Sequence, residues 1–187
     1  MRIESAEIAA GVTLRLLAET DADTLCAAYV DNREHLRPWE PRRPESFFTG
    51  AGQRERIRGL LHLFAEGAAV PLVFQAAHGR IVGTVTLTGI VRGPFCSASL
   101  GYWVAADQQK QGLAGAAVER VCEIARDVVG LHRIEASTLL DNIGSQRVLA
   151  KCGFEPIGMA PKYLHIDGQW RDCRLFQRVL HDHDPVL

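Results

Sequence analysis

Gln109-Lys110-Gln111-Gly112-Leu113-Ala114 is the stretch on which the reading of this chain turns. It follows the apolar aromatic run Leu100-Gly101-Tyr102-Trp103-Val104. It opens a segment in which Leu113, Ala117, Val121, Ile124 or Ala125, and Val128 recur at helical spacing. A strand that passes through a polar, glycine-containing turn into a helix gathers free backbone N–H groups at one spot. With the positive end of the helix dipole, they suit a phosphate or pyrophosphate. Gly112 removes the side chain where an anion must come close, and Ala114 keeps the first helical turn narrow. On the hexamer alone, an ordinary strand–loop–helix junction explains the residues as well as a phosphate site does.

Toward the amino terminus, residues 12–17 read as a first strand, with Thr13 and Arg15 alternating against apolar neighbours. Thr20 or Asp21 is placed to cap a helix that runs to about residue 32. A proline- and arginine-rich loop covers residues 33–50, and a second helix over about 52–66 stops at Gly67. Residues 70–77 and 80–88 form a hairpin turning at His78-Gly79, and residues 97–104 form a fourth strand. Toward the carboxyl terminus, the helix that starts at Gly112 ends at Gly130, and residues 133–139 form a fifth strand. Asp141 or Asn142 caps a short helix ended by Gly153. Two last strands, about 155–165 and 170–179, flank the turn Ile166-Asp167-Gly168-Gln169. Strands at both ends with helices packed between them predict an α+β fold rather than a doubly wound one.

The composition fits a single domain over residues 1–187, with 47% hydrophobic and 23% charged residues. A net charge of -1 argues against whole-molecule attraction to nucleic acid or acidic membranes. No apolar run reaches membrane-spanning length, and Met1-Arg2-Ile3-Glu4-Ser5 lacks a signal-peptide core. Cys26, Cys96, Cys122, Cys152 and Cys173 are scattered, without a Cys-x-x-Cys pair. That predicts neither a metal site nor a disulfide framework, and it fits a reducing cytoplasm.

Further motifs make the pattern specific. Asn142-Ile143-Gly144-Ser145 precedes Gly153-Phe154, His35-Leu36-Arg37-Pro38-Trp39-Glu40-Pro41 lies in the first long loop, and Tyr163-Leu164-His165-Ile166-Asp167-Gly168-Gln169-Trp170 lies near the end. With Gln109 to Ala114, this ordered set resembles the GNAT superfamily of acyl-CoA N-acyltransferases, in particular the RimJ/RimL-type ribosomal-protein alanine N-acetyltransferases. The resemblance spans nearly the whole chain. It implies a mixed, mostly antiparallel central sheet of about seven strands, with helices on both faces and acetyl-CoA as co-substrate. It also implies that the fourth and fifth strands splay apart, and that the thioester end of acetyl-CoA lies in that V. Tyr102, Trp103 and Val104 would hold the pantetheine arm through main-chain bonds, and Gln109 to Gly115 (Lys110, Gln111 and Leu113 included) would wrap the pyrophosphate. Asn142 would bond the pantetheine region and Ser145 would sit near the sulfur. Asn142 is equally an ordinary N-cap, and the two roles are compatible.

The implied reaction is direct attack of a neutral amine on the thioester carbonyl. A backbone N–H near Tyr102 to Val104 would stabilise the oxyanion, and Ser145 would serve the departing thiolate. The general base is open. Where relatives carry a glutamate before the Gly-Tyr pair this chain has Ser99, and where others carry a tyrosine in the last helix it has Leu149. Glu135, Glu40, His165 and Asp172 remain as candidates, each with an ordinary structural reading as an ion-paired or surface residue. A missing strong base favours an α-amine. With a pKa of about 7.7–8.0, an α-amine costs about 1 kcal/mol to hold neutral at pH 7, against roughly 4.6 kcal/mol for a lysine near 10.4.

Trp39, Tyr163 and Trp170 are candidates for the walls of a substrate cleft, although the tryptophans equally suit covering the sheet ends. The arginines and glutamates of the first loop read as a mixed-charge surface before they read as a nucleic-acid patch. The leading expectation is an acetyltransferase for the N-terminal amine of a peptide or protein, ribosomal proteins included. A small-molecule amine acetyltransferase and a non-catalytic acyl-CoA sensor are the alternatives, with Ser99 and Leu149 pointing to the last. A homodimer is compatible with the sequence, which does not fix the oligomeric state.

Overall fold

The computed structural model describes residues 1–184. Short strands β1 (Ala6–Ala9) and β2 (Val12–Leu16) pair antiparallel around a turn in which Gly11 takes φ 72°. Helix α1 (Ala22–Asp31), the single turn α2 (Arg33–Leu36) and helix α3 (Gly50–Ala65) come after them. Next are β3 (Val70–Gln75), β4 (Ile81–Val91), β5 (Ser97–Val104) and α4 (Leu113–Ile124), which continues as a π-helical turn to Gly130. Strand β6 (Arg133–Leu139), helix α5 (Ile143–Lys151), β7 (Glu155–Ile166) and β8 (Gln169–Val179) complete the chain.

Among the described residues eight strands form one sheet in the order β1-β2-β3-β4-β5-β6-β8-β7. The fold is α+β, and every strand pair is antiparallel except β5 with β6. The strand beyond the seven expected is β1, whose four residues are too few to show an alternating pattern. The loop expected over residues 33–50 also holds α2 and a 3-10 turn at Glu45–Phe48.

Local chemistry explains the main elements. Val70 to Phe74 are all buried, as suits a strand covered on both faces. Asp21 takes the N-cap position of α1, but its carboxylate turns instead to Arg15, at 2.7 Å and 2.8 Å, and to the Ala18 N–H. Thr49 caps α3 by accepting from the Gly52 N–H, so that helix starts two residues earlier than expected. The five cysteines are unpaired, and all but Cys26 are buried.

Gly83 in β4 is a position where a side chain has no room. A Cβ there would stand 2.4 Å from the Trp103 carbonyl oxygen and 2.6 Å from the Phe74 ring. Gly83→Ala is expected to destabilise the protein by about 1–3 kcal/mol through overpacking. Thermal unfolding checks this, and an unchanged melting temperature would contradict the close β3–β4–β5 packing.

Two departures from a regular sheet shape the region around the fifth and sixth strands. Strands β5 and β6 pair in register from Ser97–Arg133 to Leu100–Ala136 and then part, leaving residues 101–104 and 137–139 facing each other across a gap. This is the expected V. In β7, register slips between Ala160 and Leu164, so residues 161–163 bulge opposite Asp172 alone. Lys162 takes φ 49°, and its N–H is held by the Asp172 carboxylate at 2.8 Å. Pro161, which has no N–H to give a ladder, sits where none is needed.

Candidate functional site

The turn before α4 has an anion-receiving shape. Lys110 and Gly112 both take positive φ, at 61° and 80°, and Gly112 is the N-cap of α4. No side chain caps the helix and no acidic residue stands in its first turn. The first N–H groups are therefore open to a ligand. A Cβ on Gly112 would meet nothing within 4 Å, so glycine is required there by conformation and not by protein packing. Helices α4 and α5 meet where the Cys152 thiol reaches the Gly115 carbonyl at 3.5 Å. The imidazole of His35 lies 3.3 Å from the Val104 carbonyl oxygen and 3.1 Å from Gln109 Nε2, which ties α2 to the turn.

The fork between β5 and β6 brings together three hydroxyls. Tyr102 and Thr138 each stand two residues beyond the last paired rung, Leu100–Ala136, and so share one face of the sheet. The Tyr102 hydroxyl lies 2.8 Å from Ser145 Oγ, and Ser145 belongs to the first turn of α5. Asn142 caps that helix, its side-chain oxygen accepting from the Ser145 N–H at 3.1 Å. Burial pushes the Tyr102 phenol up to about 12, against the opposing pull of its bond to Ser145. The phenol keeps its proton at neutral pH and can donate it to Ser145 Oγ, which leaves the serine proton free to point elsewhere. Thr138 Oγ1 is buried without a hydrogen-bond partner. An orphaned buried hydroxyl costs about 1–3 kcal/mol, so the amide- and sulfur-bearing arm of an acyl-CoA fits the fork by giving it a partner.

On the other face, strand alternation places Ser99, Glu135 and Ser137 together. With Ile157, Tyr163 and Leu175 they surround a cavity of about 50 Å³. The β7 bulge is what turns Tyr163 toward this point. Glu135 pairs with Arg133 at 2.9 Å, and the Arg133 guanidinium stacks 4.7 Å above the Phe95 ring.

Glu40 lies elsewhere, in a second cavity of about 350 Å³ between residues 29–48 and the β7–β8 turn. Its backbone oxygen accepts from the Asp167 N–H at 3.0 Å. Burial raises its carboxyl above the ordinary range, opposed by Arg43 and Arg56. Glu135 and Glu40 thus belong to different cavities. Trp39 and Trp170 line neither one, and Trp170 is 63% exposed with its ring 5.3 Å from His165. Asp172 is occupied by the bulge. The Tyr102 hydroxyl and Thr138 do not stand out in the sequence. The signal available is parity, since Tyr102 alternates in phase with buried Ala98 and Leu100. Among the described residues no group of three His, Cys, Asp or Glu side chains is arranged to hold a metal.

An open β5–β6 fork, an uncapped glycine-started α4 and the Tyr102–Ser145 hydroxyl pair beside the fork together have the shape and polarity to receive an acyl-CoA. The family model for the acetyltransferase (GNAT) domain matches residues 12–155, and the chain belongs to that family. It is 35% identical over 175 residues to the [ribosomal protein uS5]-alanine N-acetyltransferase of Escherichia coli (strain K12), covering 93% of this chain and 90% of that protein. The crystal structure of ribosomal-protein-S5-alanine acetyltransferase from Vibrio fischeri superposes with a TM-score of 0.92 at 34% identity, over 96% of this chain and 98% of that one. RimJ of Mycobacterium smegmatis, solved in complex with CoA-disulfide, superposes with a TM-score of 0.85 at 32% identity, over 90% of this chain and 81% of that one.

Proposed function

We propose that this acyltransferase moves an acetyl group from acetyl-CoA to the N-terminal α-amine of a protein, with a cytoplasmic ribosomal protein as its physiological acceptor, and that the chain acts as one catalytic domain. The observation that carries the reading is the two-sided fork. The hydroxyls of Tyr102, Thr138 and Ser145 stand on one face, and the small cavity of Glu135 and Tyr163 stands on the other. The E. coli relative is named for an alanine N-terminus, which supports an α-amine acceptor.

Acetyl-CoA supplies the activated acetyl group. In this reading the N–H groups at Gly112 to Gly115 hold the pyrophosphate, with Gln109, Lys110 and Gln111 around it. The main chain of Tyr102 to Val104 holds the pantetheine arm, and Thr138 Oγ1 bonds one of its polar atoms. An unpaired N–H on the open edge of β5 receives the developing oxyanion. Tyr102 donates to Ser145 Oγ, so the Ser145 proton is directed at the leaving sulfur. Glu135 orients the incoming amine through its carboxylate, and Tyr163 walls the amine cavity.

Glu135 is already engaged by Arg133, which suits an amine that needs little help to lose its proton. A peptide with an N-terminal alanine and an internal lysine is therefore expected to be acetylated at the α-amine, with the lysine spared. Mass spectrometry of the product decides it. Preferential lysine modification would reject the α-amine reading, and tight acetyl-CoA binding with no turnover on any amine would favour a sensor.

A further inference from the structure

The larger cavity has no role in the proposed acetyl transfer, yet its lining is rich in charged side chains. Four arginines line it, and two of them are spoken for: Arg33 meets Glu45 at 2.5 Å and Arg37 meets Glu34 at 3.1 Å. Arg42 and Arg43 differ. Each stands 3.6 Å from its acid, Asp167 and Glu40 respectively, beyond hydrogen-bond distance. Arg43 Nε is buried without a hydrogen-bond partner, although the guanidinium still opposes the rise of the Glu40 carboxyl. Of the two, Arg43 is the more confined, its side chain 33% exposed against 74% for Arg42. Arg43 stacks 4.8 Å from the Phe47 ring, and Arg42 lies over the β7–β8 turn beside Asp167. A confined guanidinium and a second one at the rim of the same cavity suit a carboxylate, which accepts from both.

The same strand touches both cavities. Tyr163 walls the amine cavity and Asp167, four residues on, lines the larger one. At about 3.3 Å per residue these points lie roughly 13 Å apart, the reach of about four extended residues. We infer that the larger cavity is a specificity subsite that receives an acidic side chain at about the third to fifth residue of the acceptor, with Arg42 and Arg43 as its donors. The inference rests on the proposed α-amine acceptor, because that amine sets the origin from which the span is counted.

The test uses alanine-initiated peptides on a lysine-free background, in which a single glutamate is moved through positions 2 to 6 and each is paired with its glutamine and lysine counterparts. Glutamate is expected to raise kcat/KM about tenfold over glutamine at one of positions 3 to 5, through KM, as one charge-assisted contact would. Arg42→Ala and Arg43→Ala should bring that ratio toward one, with unaltered acetyl-CoA affinity reporting an intact fold. A glutamate-to-glutamine ratio of one at every position overturns the subsite and leaves the α-amine reading standing. So does a preference for lysine, which would assign the cavity to Glu40 and Asp167. If no peptide is acetylated at its α-amine, the α-amine reading fails, and the subsite with it.

Discussion

Gly112→Glu is expected to weaken acetyl-CoA binding roughly a hundredfold or more. The site it enters is the uncapped start of α4, where free N–H groups converge and φ is 80°. Two unit charges 4 Å apart at an effective dielectric of about 20 repel by about 4 kcal/mol, and solvent screening reduces that to a few kcal/mol here. Added to this is about 1–2 kcal/mol for holding a residue with a Cβ in the left-handed region. Gly112→Ala separates the two, since it carries the backbone cost without the charge and should cost about tenfold or less. Isothermal titration of acetyl-CoA into each folded variant measures both. An unchanged dissociation constant for the glutamate variant would remove this turn from the cofactor site.

Ser145→Ala is expected to lower kcat about tenfold to a hundredfold while leaving acetyl-CoA affinity nearly unaltered. A hydrogen bond made chiefly to a leaving thiolate acts in the transition state and not in the ground state. Tyr102→Phe should reproduce much of that loss, because it removes the group 2.8 Å away that orients the serine proton. In the double variant the two losses should not add, as two members of one hydrogen-bonded unit behave. Steady-state kinetics on the four proteins gives the coupling. Additive losses would separate the two residues, and an undiminished kcat for Ser145→Ala would leave that serine as part of the α5 cap alone.

The two strands of the fork are legible in the sequence, and their limits, 97–104 and 133–139, agree with the structure. Each alternates apolar and polar residues, and each is bounded by turn-forming or glycine-containing segments. The start of α5 is equally visible, because Asn142 followed by Ser145 is a local pattern that the cap fulfils. Strand β1 is hidden by brevity, and α2 by lying in a stretch whose prolines signal only a loop. The partition of the acids is hidden for a different reason. Glu40 and Glu135 are separated by how the first loop folds against the β7–β8 turn, which no local pattern encodes. The Tyr102–Ser145 contact likewise depends on how α5 is rotated over β5. The bulge at residues 161–163 leaves only Pro161 as a trace.

Strands β5 and β6 form the one parallel pair in the sheet, and this governs the surroundings of the fork. Chains that run the same way leave a rung in the same direction, so their continuations emerge at the same edge. Strand β5 continues into the turn before α4, and β6 continues into the turn before α5. Two helices therefore begin beside a single opening, whereas an antiparallel pair would send its continuations to opposite ends. Each beginning carries roughly half a positive charge. In the proposed binding mode the field of α4 would face the diphosphate end of acetyl-CoA, while that of α5 would face the sulfur beside Ser145. A negative charge forming on that sulfur gains about 0.3–1 kcal/mol from α5 before any side chain acts. The leaving group is thus made more acidic by the topology of the sheet itself.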